Sequence, residues 1–247
     1  VTMKPNQVQL WRIVNGAARN FVQFDSLTQH GKGGQTVAWR QIAQDGVQFS
    51  YANYQRFGAI NAKFNLATAN RADLLVRAPS QEGEYELQVV QSVSDLPRGT
   101  ATTLLTVRVK ADSKKIYPPM DFIVEEGDFP KLPPFLADIT GPILTKRELF
   151  FNTNPSSARK GKGQMPLHEI NKQLFDGHHV DQTMILNTVE EWTLFNQTIN
   201  IAHPFHIHIN PFQIVEVFQP NTTSAKDTNS TCYADPTKPA TWKPCVK

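Results

Sequence analysis

Residues 6–15 read Asn6-Gln7-Val8-Gln9-Leu10-Trp11-Arg12-Ile13-Val14-Asn15, and residues 187–196 read Asn187-Thr188-Val189-Glu190-Glu191-Trp192-Thr193-Leu194-Phe195-Asn196. The two align without a gap, so that Asn6, Val8, Trp11 and Asn15 recur as Asn187, Val189, Trp192 and Asn196. A tryptophan shared at one fixed offset points to an internal duplication, and the β-branched and aromatic content of both stretches points to strands. Two copies of one β fold are therefore expected.

Working outward from the first copy, apolar runs broken by turn residues predict strands at 8–14, 19–25, 38–43, 63–66, 72–77, 85–92 and 101–109. Asn15-Gly16, Asp45-Gly46 and Glu82-Gly83 supply the turns. Alternation is clearest where Leu105, Val107 and Val109 interleave with Leu104, Thr106 and Arg108, one face buried and the other wetter. Short strands at this spacing suggest a sandwich or barrel. Pro118, Pro119, Pro130, Pro133 and Pro134 then interrupt every pattern, so residues 113–139 are read as a proline-rich linker. Strands resume at 143–152, 167–171, 183–186, 190–196 and 213–218, and a loop with Arg159, Lys160 and Lys162 reads as a solvated charge run. The expected division is 1–112, 113–139 and 140–247. After Gln219 the sequence is polar and has no closing strand.

Of 247 residues, 40% are hydrophobic and 19% charged, enough apolar material for a real core. The 25 basic and 22 acidic residues leave a net charge of +3 with no basic cluster, so nucleic acid is not expected as a partner. No apolar run approaches the ~20 residues of a membrane helix, and the first residues lack the apolar core of a secretion signal. A soluble chain that does not begin where its gene begins is expected. Cys232 and Cys245 enclose a polar, proline-containing loop. A disulfide there would point to an oxidising, extracellular or periplasmic setting; two unpaired thiols are the alternative. Asn196, Asn221 and Asn229 open glycosylation tripeptides too common to decide anything.

The chemistry concentrates just after the second copy of the repeat. His203, His206 and His208 follow one another as H-x-x-H-x-H, where the first copy has Val22, Asp25 and Leu27 at the aligned positions. Imidazole is the commonest side-chain ligand for borderline metals such as copper and zinc. In an extended segment side chains alternate, so His206 and His208 project to one side and His203 to the other. One ion would struggle to use all three, whereas two sites on opposite sides of the segment fit, with Pro204 holding the backbone extended. His30, His168, His178 and His179 read as ordinary hydrogen-bonded residues.

The run His203-Pro204-Phe205-His206-Ile207-His208, with Thr188-Val189-Glu190-Glu191-Trp192 before it and Phe212 and Ile214-Val215-Glu216-Val217 after it, resembles the third copper-binding motif of multicopper oxidases. Laccases and related polyphenol oxidases are the nearest group. Residues 8–15 and Ile42-Ala43-Gln44-Asp45-Gly46 resemble the copper-free middle domain of three-domain members. The resemblance implies an all-β fold of two cupredoxin-like Greek-key β-sandwich domains. Residues 1–112 would form a copper-free domain lacking its first strands, and 140–247 an incomplete copper-binding one. It also implies that His203 binds the type 1 copper, His206 the type 2 copper and His208 one of the type 3 pair.

The same family pattern has further motifs that this sequence lacks: two early histidine pairs, and a closing His-Cys-His with a later His and Met. A full four-copper set needs about ten histidines and a cysteine, and this chain has seven histidines, with no histidine beside Cys232 or Cys245. The expected function is therefore that of one part of a copper-dependent oxidase, inactive alone and dependent on the remaining parts of the same oxidase. The whole would oxidise phenolic or similar small reductants by single electrons and reduce dioxygen to water. A three-domain monomer is favoured by the copper-free first copy. The alternative is a non-catalytic cupredoxin-like fragment or scaffold with at most one adventitious metal on His206 and His208. A cupin-type single-metal dioxygenase would draw on Glu216 as its carboxylate.

Overall fold

The computed structural model describes residues 1–18, 21–30, 35–92, 101–112, 121–123, 125–154, 167–198, 203–210 and 212–217. Thirteen strands are present among them: β1 (Thr2–Met3), β2 (Val8–Val14), β3 (Phe21–His30), β4 (Ala38–Gln44), β5 (Val47–Gln48), β6 (Phe64–Leu66), β7 (Arg71–Arg77), β8 (Gly83–Ser92), β9 (Ala101–Val109), β10 (Ile143–Asn154), β11 (Leu167–Ile170), β12 (Gln173–Leu174) and β13 (Val189–Asn196). The fold is all-β, with one short α-helix, α1 (Tyr51–Phe57), and two single 3-10 turns. No helix among the described residues is long and apolar enough to cross a membrane.

The N-terminal strands form two sheets, ordered β1-β9-β8-β3-β6 and β2-β7-β4-β5. Every pairing is antiparallel except β1 with β9. The alternation read from the sequence sets what lies between the sheets: Ala72, Leu74 and Val76 from β7 and Trp39 from β4 meet Tyr85, Leu87 and Val89 from β8 and Val107 and Val109 from β9. Leu104, by contrast, faces solvent. Phe24 is fully buried at the centre, stacked on Phe64 with ring centroids 4.6 Å apart and edge-on to Trp39 at 6.2 Å. Such aromatic pairs add to the area they bury.

Helix α1 falls where the sequence pattern predicts no element. It is too short for a 3.6-residue periodicity to show, and its ends are local devices. The Ser50 hydroxyl accepts from the Asn53 amide, and the Gly58 amide donates back to Tyr54 O. Arg40 lies over the Tyr54 ring at 3.7 Å and donates to the carbonyls of Tyr54 and Gly58, so a β4 side chain satisfies the helix C-terminus.

The described residues of the proline-rich segment hold no strand, only turns at Glu126–Asp128 and Pro134–Leu136. Part of it is strapped to the N-terminal sandwich. The Tyr54 hydroxyl donates to Ile123 O at 2.9 Å, and Phe129 packs on Tyr54. Arg77 pairs with Asp121 and covers the Phe122 ring. Gln48 Nε2 donates to Pro130 O. Burial raises the Tyr54 hydroxyl pKa, with Arg40 opposing, so it stays a donor.

The C-terminal residues form one sheet, β12-β11-β10-β13, in which β10 runs parallel to β13 and antiparallel to β11. Asn171 and Lys172, both at positive φ, make the two-residue turn between β11 and β12. Among its described residues only Leu149 and Thr153 are buried. Two expected strands are absent and are corrected here. At 183–186 the Thr188 hydroxyl donates to Ile185 O and Leu186-Asn187 turn into β13, so the carbonyls serve a turn rather than a ladder. At 213–217 there is a single bridge at Val217, because no described strand lies alongside and Gln213 instead bonds Asp138 and Ile139. Phe218, the Arg159–Lys160–Lys162 loop, Cys232, Cys245 and the sequons at Asn221 and Asn229 lie outside the described residues.

The repeat is present in three dimensions. Asn6 and Asn187 both take left-handed φ, 61° and 63°. Each tryptophan donates its indole N–H to the side chain two residues before it, Trp11 to Gln9 at 3.0 Å and Trp192 to Glu190 at 2.8 Å. Each terminal asparagine accepts from the amide two residues on, Asn15 from Ala17 and Asn196 from Thr198, both at 3.0 Å. Their neighbours differ: β2 is antiparallel to β7, β13 parallel to β10.

Candidate metal centre

The approach to the histidine run is a tight polar knot on β10 and β13. Arg147 meets the Glu190 carboxylate with two nitrogens, at 2.6 and 2.9 Å, and its guanidinium also donates to Thr183 O. The Glu190 side chain is only 2% exposed, and the Trp192 indole donates to the same carboxylate. The hydrogen bonds from Arg147 and then Trp192 hold the Glu190 pKa below the ordinary glutamate range, so it stays ionised. Trp192, fixed in this way, carries the edge of Phe205 at a centroid distance of 6.4 Å. Phe205 also packs edge-on to Phe151 and Phe212. The residues before the motif therefore position its central phenylalanine.

With Phe205 anchored, exposure alternates along the run. His203, Phe205 and Ile207 are half-buried, whereas Pro204, His206 and His208 are exposed. The run is extended but unpaired, unlike the aligned first copy, which continues as the ten-residue strand β3. It ends abruptly: the Asn210 amide donates to His208 O across Ile209, which sits at φ 72°. A β-branched residue in the left-handed region is strained, and this three-residue turn stops the run directly after its last histidine.

The structure brings His206 and His208 together, their ring centroids 4.8 Å apart at 81°. With metal–nitrogen bonds of ~2 Å, two imidazoles on one ion have centroids ~4.5–5.5 Å apart, so the pair is spaced to serve one ion or two adjacent ones. His203 is kept apart from them, as side-chain parity predicts. Its Nε2 lies 3.3 Å from Thr153 Oγ1 and 3.2 Å from Thr198 Oγ1. Burial first, and then the nearby His168, lower its pKa below the ordinary histidine value, so at neutral pH it is the uncharged form that binds metals. Among the described residues no three His, Cys, Asp or Glu side chains converge to hold an ion. The donor set suits copper by type, two plus one imidazoles, but is partial.

His168 is the residue the sequence reading missed. Its Nδ1 lies 3.0 Å from Thr153 Oγ1, and its ring is edge-on to His203 at 5.8 Å. The contact arises because Thr153 and His168 are directly opposite in the β10–β11 register, which no linear spacing displays. His178 and His179 lie in a turn as expected, His179 Nδ1 bonded to Asp181 at 2.9 Å. Glu216 is exposed and makes no described contact with the run.

Residues 146–243 match the family described as multicopper oxidase. No curated protein matches. Among solved structures, a multicopper oxidase from Campylobacter jejuni, a metallo-oxidase, aligns at 16% identity over 75% of this chain and 36% of its own, with a TM-score of 0.47. Fet3p, a multicopper oxidase that functions in iron import, aligns at 13% identity over 70% of this chain and 30% of its own, with a TM-score of 0.42. The chain thus spans about a third of the length of these structures. The stretch from 146 to 243, which holds His203, His206 and His208, belongs to the multicopper oxidase family.

Proposed function

We propose that this chain is one part of a copper-dependent oxidase, divided as 1–112, 113–139 and 140–247, and that it contributes part of the copper ligand set. The observation that carries the reading is the separation of the three histidines, with His206 and His208 side by side and exposed and His203 turned the other way into a half-buried pocket. His203 would hold the type 1 copper, His206 the type 2 copper and His208 one of the type 3 pair. When bound, copper supplies one-electron chemistry, drawing electrons from a phenolic or similar small reductant and delivering them to dioxygen, which becomes water. The chain's own residues do the rest. Arg147, Glu190 and Trp192 hold Phe205, Phe205 sets the alternation of the run, and the turn at Ile209 ends it. Extracellular or periplasmic placement fits an oxidase of this kind.

Copper(II) titrated into the 247-residue chain tests the reading. Binding should be lost in His206→Ala/His208→Ala, and a phenolic substrate should not turn over. Full turnover by the chain alone would refute its being a part; binding unaffected by the double substitution would refute the ligand assignment. A non-catalytic scaffold with one adventitious metal predicts the same loss of binding, but predicts that copper leaves His203 untouched.

A further inference from the structure

Around His203 the hydrogen bonds leave little freedom in where protons sit. Thr198 Oγ1 accepts from the Thr153 amide at 2.7 Å and donates its single proton to Asn152 Oδ1, an atom that can only accept. Toward His203 Nε2, 3.2 Å away, Thr198 Oγ1 can then only accept. Thr153 Oγ1 is placed in the same way. Its proton is directed at His168 Nδ1, at 3.0 Å, which leaves a lone pair for the same His203 nitrogen at 3.3 Å. Two hydroxyl oxygens, each with its proton committed elsewhere, thus face one ring nitrogen. Thr153 is buried and backbone-paired on β10, and Thr198 is held by the Asn196 turn, so neither oxygen is free to drift.

We infer that Thr153, Thr198 and His168 are positioning residues that hold His203 in its Nε2-protonated form, leaving Nδ1 as the atom that faces a metal. The inference rests on the proposal that His203 is a ligand. Metal-bound histidines in general donate their second ring N–H to a fixed acceptor, which sets both tautomer and ring orientation. Here the acceptors are two threonines, and His168 acts one bond further out by taking the proton that would otherwise compete.

Nitrogen-15 NMR of the full chain at about pH 7.5, above the ordinary histidine range, tests this. The His203 Nε2–H should appear as a protected cross-peak. It should vanish in Thr153→Val/Thr198→Val and return in Thr153→Ser/Thr198→Ser, with the backbone amide spectrum of β10 and β13 unchanged. In His168→Ala its exchange with water should quicken by about tenfold, the scale of one hydrogen bond. A proton found on His203 Nδ1, or a cross-peak indifferent to the valine pair, would overturn the inference. Should the valine pair not fold, the tautomer in the unsubstituted chain and the His168→Ala exchange rate still decide it. Copper(II) added in substoichiometric amounts separates the two layers. If it fails to broaden His203 while the protected N–H is seen, the ligand assignment falls and the threonine clamp stands.

Discussion

Phe24→Ala removes a ring that is wholly buried, stacked on Phe64 and edge-on to Trp39. Loss of buried area costs about 1.5–3 kcal/mol, and two aromatic pairs at about 0.5–1.5 kcal/mol each bring the total to about 3–5 kcal/mol, in the range of buried Phe→Ala changes. Phe150 offers an internal comparison. It stacks on Phe195 with nearly the same geometry, 4.7 Å and 9°, but both rings are half-buried, so Phe150→Ala should cost about 1–2 kcal/mol. Amide hydrogen exchange reads the two regions separately in one sample. Phe24→Ala should lower protection in β7 and β8 by about two to four powers of ten and leave β10 and β13 alone. A loss below tenfold, or equal losses for Phe24→Ala and Phe150→Ala, would show that burial is not what distinguishes the two stacks.

In an assembled oxidase, His203→Ala should abolish the blue absorption, while His206→Ala should spare it and stop oxygen reduction; equal loss of the band in both variants would count against the assignment. Gly58→Ala would place a Cβ 2.5 Å from Gln41 O and 2.7 Å from Tyr54 O, both backbone atoms, and should cost about 1–3 kcal/mol in a thermal or urea midpoint. The pH dependence of stability follows from two lowered pKa values. His203 is harder to protonate folded than unfolded, so its contribution is complete above about pH 6.5 and is lost as pH falls through its folded value. Glu190 behaves alike in a lower window, complete above its ordinary value of about 4.5 and lost as pH falls through the folded one. His203→Gln should flatten the upper slope and Glu190→Gln the lower; an upper slope unchanged in His203→Gln would remove His203 as its source.

What could be read from the sequence was what depends on neighbours along the chain. The alternation of Leu105, Val107 and Val109 names a buried face because side-chain direction in a strand has a period of two. The same rule separates His203 from His206 and His208 even though their segment is not a paired strand. Where a partner decides, the sequence misleads. Met184, Ile185 and Leu186 have a strand's composition, yet they lie exposed in a turn. Helix α1 escaped because seven residues held by Ser50, Gly58 and Arg40 carry no periodic signature. His168 escaped because only the β10–β11 register places it opposite Thr153.

The duplicated decapeptide carries its shape within itself: an asparagine hinge at the entrance, an indole tied to the side chain two residues back, and an asparagine clasp at the exit. It is a cassette indifferent to the polarity of the sheet that receives it, since one copy lies against an antiparallel strand and the other against a parallel one. Each copy launches the chain from the same clasp. What was attached downstream could therefore diverge without renegotiating the strand itself, and a long β-strand in one copy and a histidine-bearing arm in the other are two different tools on one handle.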